Sequence, residues 1–332
     1  MSGRGLVWAF KVVPHLPFGC VRWLGRRAAD LMCLLNGSSV RRMRANHERL
    51  LGHPISRVQL REAVRSHVNA YVEQLSFGGR IGEALRSRVD LSQAQGLIEV
   101  SSSGPVVLAL AHSGTFDRVG AAVCAQGLGI LTVAEKLNPP ELFDAFVNLR
   151  SNVGMEIIGV SPGDSVFHTL RDRAEGRAGL VVPLLADRDI SGSGIEVDFG
   201  SRKALVAAGP AALARALRAP LVAGVVSDVD DSGRPEFVRL EITENLYDPD
   251  TEDPDVPELT QRWVNALTPI LQRRIREWHM MQAVFVEDLD PERLERARQR
   301  GAEGALGEDR NSQSLLLGRS RRRSIPHSRF RP

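Results

Sequence analysis

From Val106 onward, short apolar runs alternate with stretches in which apolar residues recur every three or four positions. The runs predict strands at Val106–Ala111, Ile130–Ala134, Glu156–Val160 and Leu180–Leu185. The periodic stretches between them predict helices at Thr115–Gln126, Pro140–Val153 and Asp164–Ala174. Continuous apolar runs, rather than alternating ones, are expected of strands covered on both faces. The order therefore predicts an α/β fold: a central, mostly parallel twisted sheet flanked by helices. Further on, Gly194–Phe199 reads as a short strand and Gly209–Arg218 as a helix opened by Pro210. Leu221–Val226 and Glu236–Ile242 read as strands joined through the turn Asp230-Asp231-Ser232-Gly233. An acidic connection, Asp248–Pro257, leads into a long helix from Val256 to Trp278.

The chain before Val106 predicts an N-terminal helical segment. Residues 1–35 mix large apolar groups with arginines and are broken near Pro14 and Pro17. They read either as an amphipathic, membrane-associating segment or as a helix packed on the core. Val40–Leu51 is a basic helix, and Ser56 caps another running to Phe77. Leu85–Ser103 yields only short helix and loop. Residues 36–300 are expected to form a single domain. Residues 301–332, with Arg319, Arg321, Arg322 and Arg323, read as a disordered basic tail.

Composition narrows the picture only a little. The 332 residues are 43% hydrophobic and 25% charged, ordinary for a globular protein. Net charge is +3, and Lys11, Lys136 and Lys203 are the only lysines. Cys20, Cys33 and Cys124 show neither metal nor disulfide spacing, which fits a reducing compartment. No apolar run is long enough for a spanning helix. The basic tail lacks the interleaved aromatics of a nucleic-acid binder, so no nucleic-acid partner is expected.

Candidate chemistry sits where the first buried strand ends: His112-Ser113-Gly114-Thr115-Phe116-Asp117. Open α/β sheets place their sites at such strand-to-helix junctions. If the turn folds back, Asp117 orients one imidazole nitrogen of His112 and leaves the other basic. The alternative is a loop histidine beside a helix-capping aspartate. N–H groups at the start of the Thr115 helix are candidates for stabilising an oxyanion. Trp278 and His279 read as structural.

Ordered blocks then carry a resemblance: AHSGTFD (Ala111–Asp117), VAEKLNPPELFDAFVNLRSNVGMEII (Val133–Ile158), PLLADRDISGSGIEVDFG (Pro183–Gly200), AAGPAALARAL (Ala207–Leu217) and EWHMMQ (Glu277–Gln282). Together they resemble phosphatidylinositol mannoside acyltransferases, in the lipid A lauroyl/myristoyl acyltransferase branch of the lysophospholipid-acyltransferase superfamily. The resemblance implies transfer of a palmitoyl-like acyl group from acyl-CoA to a mannose hydroxyl of a phosphatidylinositol mannoside. It implies His112 as general base, with Asp117 and Asp187 as catalytic carboxylates. Asp187 stands where those enzymes carry a glutamate, one methylene longer. Arg150 matches an arginine near the co-substrate phosphates, and Lys136, Arg202 and Lys203 are further candidates there. Glu135 and Arg188 are candidates for the acceptor. Acyl-CoA enters as co-substrate, with no resident cofactor. A monomer at an anionic membrane surface is expected, peripheral on the cytoplasmic face of the cell membrane. Another acceptor, such as a lysophospholipid, or a silent lipid-binding relative are the alternatives.

Overall fold

The computed structural model describes residues 8–9, 12–77, 88–136, 139–161, 166–190, 192–228, 237–292, 294–295 and 297–299. The expected basic tail and the turn at Asp230–Gly233 lie outside them.

Three helices open the fold: α1 (Phe18–Leu35), α2 (Ser38–Leu51) and α3 (Arg57–Phe77). Each boundary has a local cause. α1 ends on Asn36 and α2 on Gly52, both in the left-handed region. α3 starts with a capping box. Ser56 Oγ accepts from Gln59 N–H, and Gln59 Oε1 accepts from Ser56 N–H. α1 packs along α3 so closely that a Cβ on Gly25 would lie 2.6 Å from a Val72 methyl. A small helical core of Ala29, Val40, Met43, Leu60, Ala63 and Val64 joins the three.

The rest is a seven-stranded sheet. Its strands are β1 (Val89–Asp90), β2 (Val106–Leu110), β3 (Gly129–Glu135), β4 (Met155–Val160), β5 (Leu180–Leu185), β8 (Leu221–Ser227) and β9 (Val238–Ile242). A separate antiparallel hairpin is formed by β6 (Ile195–Phe199) and β7 (Arg202–Val206). The sheet order is β1-β9-β8-β2-β5-β3-β4. The run β8-β2-β5-β3-β4 is parallel, and β9 joins β8 antiparallel.

β2 shows why its sequence is apolar throughout. Val107 and Ala109 enter one core with α8 (Gly209–Leu217) and α9 (Val256–Arg273). Val106, Leu108 and Leu110 enter the other with α5 (Phe116–Ala125). Alternate side chains thus meet opposite cores, and neither set can be polar. Further helices among the described residues are α4 (Gln95–Ser101), α6 (Pro140–Ser151) and α7 (Phe167–Ala174).

Three expectations change. Leu85–Ser103 contains the edge strand β1, which pairs with β9. β7 went unread because Arg202 and Lys203 open it in solvent while Ala204, Leu205 and Val206 are buried. The long terminal helix stops at Arg273, and Glu277–Gln282 leaves it as an irregular segment.

Candidate active site

The parallel strands β5, β2 and β8 are neighbours, and each delivers an ionisable residue just past its C-terminal end. β2 leads to His112, β5 to Asp187 and β8 to Asp228. Registry explains the first pairing. β2 and β5 align Val106 with Val181 through Leu110 with Leu185. Two further residues bring His112 opposite Asp187.

His112 Nδ1 lies 2.5 Å from Asp187 Oδ1. A carboxylate only accepts, so Nδ1 carries the proton and Nε2 is left as the basic nitrogen. The His112 side chain is 33% exposed and Asp187 is fully buried. Asp187 Oδ2 accepts twice more, from His112 backbone N–H at 3.0 Å and from the Trp278 indole N–H at 2.6 Å. Burial pushes the Asp187 pKa up, but its electrostatic contact with His112 and these hydrogen bonds outweigh it and hold the carboxyl below the usual aspartate value. Asp187 is thus a buried partner of His112. Arg188 is half-buried, and its Nε has no hydrogen-bond partner among the described residues.

Asp117 does something else. The expected fold-back onto His112 does not occur, because Asp117 sits in the first turn of α5, buried against α3 and α6. It accepts from Arg150 Nε at 2.7 Å and from Gln74 Nε2 at 2.5 Å. Arg150 is correspondingly committed. Its guanidinium pairs with Asp117 and stacks near the rings of Phe116 and Phe146, at 5.9 and 5.8 Å. Its charge holds the start of α5 against α6.

The turn itself is tight. Gly114 has φ +50°, and a Cβ there would lie 2.7 Å from the Val226 carbonyl oxygen. Its N–H donates to Glu277 O, and Thr115 N–H donates to Asp228 Oδ1 at 2.8 Å. Both N–H groups are thus engaged within the protein, which removes them as ready oxyanion donors.

Asp228 was missed from the sequence, although the same signal, an apolar run ending in polar residues, marks it. Its carboxyl is buried. Oδ1 accepts from Thr115 N–H and the Thr115 hydroxyl, and Oδ2 has no partner among the described residues. Burial pushes its pKa up to about 8, and the negative charges of Glu277 and Glu73 add to the shift. The folded state therefore holds a proton that the unfolded chain releases near pH 4. Stability from this group is full below the unfolded pKa and falls as pH rises towards about 8. Asp228→Asn keeps the acceptor for Thr115 and removes the titration. The variant should melt several degrees above wild type at pH 8, with the gap closing near pH 4. Thermal denaturation at both pH values checks this; equal melting curves at pH 8 would refute it.

Of the other expected residues, Glu135 and Lys136 are exposed at the C-terminal end of β3, the same edge of the sheet as His112. Arg202 and Lys203 lie at the far end of the β6–β7 hairpin. Lys203 pairs with Asp198 at 2.8 Å, and Arg202 is 4.0 Å from Glu287. The structure does not bring them to His112. Among the described residues no group of three or more His, Cys, Asp or Glu is arranged to hold a metal ion.

Residues 5–286 match the profile of the bacterial lipid A biosynthesis acyltransferase family. A protein of Mycolicibacterium smegmatis named phosphatidylinositol mannoside acyltransferase is 29% identical over 263 residues, 76% of this chain and 82% of that relative. A protein of the same name from Mycobacterium tuberculosis is 31% identical over 196 residues, 58% of each chain.

Proposed function

Because the chain belongs to the bacterial lipid A biosynthesis acyltransferase family and is an O-acyltransferase, we propose that it moves a fatty acyl group from acyl-CoA to a mannose hydroxyl of a phosphatidylinositol mannoside. The observation that carries the chemistry is the buried Asp187 holding the Nδ1–H tautomer of a one-third-exposed His112. His112 Nε2 takes the hydroxyl proton as the oxygen attacks the thioester carbonyl. The carbon–sulfur bond breaks, and the thiolate recovers that proton from Nε2. The names of the mycobacterial relatives favour the mannoside acceptor. Lys136 and Glu135 share the sheet edge with His112, which supports them as candidates for the co-substrate and acceptor. Arg188, with its unpartnered Nε, is a further acceptor-binding candidate. Acyl-CoA is a co-substrate in this scheme, which needs no resident cofactor. The test is product analysis with palmitoyl-CoA and an acceptor panel. An acyl ester on the mannoside supports the reading; an ester only on a lysophospholipid moves the acceptor, and thiol release without any ester refutes transfer.

The acceptor's lipid tails place the enzyme at a bilayer surface, and α1 supplies the means. No helix among the described residues is long and apolar enough to cross a membrane. Yet Trp23, Leu24, Leu31, Leu34 and Leu35 are 54–81% exposed. At about 100° per residue they occupy one arc of about 120°, while Gly25 and Ala29 face the opposite way. Arg27 lies over the Trp23 ring at 5.5 Å. A face of this kind suits the headgroup boundary of an anionic bilayer, peripheral to the membrane. Leu24→Ser together with Leu31→Ser should weaken partition into anionic vesicles by about tenfold or more, each side chain contributing roughly 1 kcal/mol. Co-sedimentation measures this, and the melting temperature should hold because both side chains are exposed. Unchanged partition of the folded double variant would refute it.

A further inference from the structure

The segment after α9 is clamped from two sides. On one side α2 holds alternate carbonyls: His47 Nε2–H donates to Trp278 O at 2.9 Å, and Asn46 Nδ2 donates to Met280 O and Gln282 O. Burial drives the His47 pKa down to about 4, so the ring is a neutral donor at physiological pH. On the other side the segment pairs with the catalytic turn. His279 N–H donates to His112 O, and Glu277 O accepts from Gly114 N–H. Trp278 thus pairs with Ser113, the residue after His112, in an isolated antiparallel bridge.

Side chains reinforce the clamp. Glu277 accepts from Ser66 Oγ and from Arg276 Nε and Nη2. Ser66 spends its proton on Glu277, so His279 Nε2 donates to Ser66 Oγ at 2.9 Å. Trp278 is fully buried, stacked 5.8 Å from the His47 ring and edge-on to Phe199. With the ring fully buried among these neighbours, its Nε1–H is directed towards Asp187 Oδ2.

We propose that Trp278 is a positioning residue for the acyl-transfer reaction, its indole N–H fixing the carboxylate that orients His112. This rests on the reading of His112 as general base. Asp187 Oδ1 must face the imidazole while Oδ2 faces away from it. The His112 backbone N–H alone leaves the carboxylate free to rock about its Cβ–Cγ bond. A second donor on Oδ2, held rigidly by an indole, removes that freedom. Outer partners that fix the orientation of a working group commonly matter by about tenfold or more. Trp278 has no exposed surface, so it acts on substrate only through Asp187 and His112.

The decisive variant replaces Trp278, site-specifically, with 3-benzothienylalanine, which keeps both rings and substitutes sulfur for the N–H. Trp278→Phe serves as a cruder companion. In the isosteric variant kcat should fall about tenfold, with KM for palmitoyl-CoA within about twofold. The His112 Nδ1–H proton resonance of the free protein should broaden or move upfield, while the melting curve stays close to wild type. An unchanged kcat, or a fall in kcat with an unchanged resonance, overturns the proposal. The resonance needs no turnover. If wild type transfers no acyl group yet the resonance responds, the positioning stands and the proposed reaction fails.

Discussion

Replacing His112 with alanine should lower acyl transfer from palmitoyl-CoA by roughly two to four orders of magnitude, the range associated with losing a general base. The size follows from the wiring of the site. A sugar hydroxyl is a poor nucleophile until its proton has somewhere to go, whereas the thioester is already activated. His112 Nε2 is the ring nitrogen left basic by the Asp187 contact, and its ring is one-third exposed at the sheet edge. Asp117 is turned towards Arg150 and Gln74, and Asp228 is capped by Thr115. Neither is in place to take over the proton. The variant should remain folded, because Asp187 keeps two of its three donors, the residue-112 backbone N–H and the Trp278 indole. Losing the third costs about 1–3 kcal/mol of stability. Thiol release with and without acceptor, beside a melting curve, separates the effects. A folded His112→Ala retaining more than about a tenth of wild-type transfer would end the general-base assignment.

Much of this site was legible in sequence, and what was not has a physical reason. A strand covered on both faces must be apolar along its length, so Val106–Leu110 and Leu180–Leu185 announced themselves. The polar residues where they stop marked the functional edge. Choosing between Asp117 and Asp187 required strand order. Asp117 is near His112 in sequence, but a helix begins between them and turns its side chain into α3 and α6. Asp187 is 75 residues away, yet the neighbouring parallel strand carries it there in register. Nothing in local spacing states that β5 lies beside β2. The same holds for Trp278, 91 residues beyond Asp187, whose role depends on α9 ending at Arg273 and the chain turning back over the catalytic turn. Asp228 was accessible: Leu221–Ser227 is as apolar as β2 and ends the same way.

The choice between the two carboxylates can be made by experiment, and Asp187→Asn should be the more damaging change to catalysis, lowering kcat by about 10²–10⁴-fold. Three donors converge on Asp187: His112 Nδ1–H on Oδ1, and His112 N–H with Trp278 Nε1–H on Oδ2. Asparagine has one oxygen. Placed at the Oδ2 position it satisfies the two fixed donors, and its NH₂ then faces His112 Nδ1. The imidazole answers by accepting at Nδ1 and carrying its proton on Nε2, the tautomer that cannot take a proton from the hydroxyl. A wrong-tautomer loss of this kind reaches about 10⁴ in a serine-protease triad. Asp117→Asn instead weakens a buried ion pair with Arg150 while leaving an oxygen to accept from it. It should lower the melting temperature and cost less than about tenfold in kcat for the folded protein. Steady-state kinetics and melting curves on both variants decide between them. If Asp117→Asn loses more kcat than Asp187→Asn while staying folded, the orienting role returns to Asp117, through a rearrangement that substrate binding would have to drive.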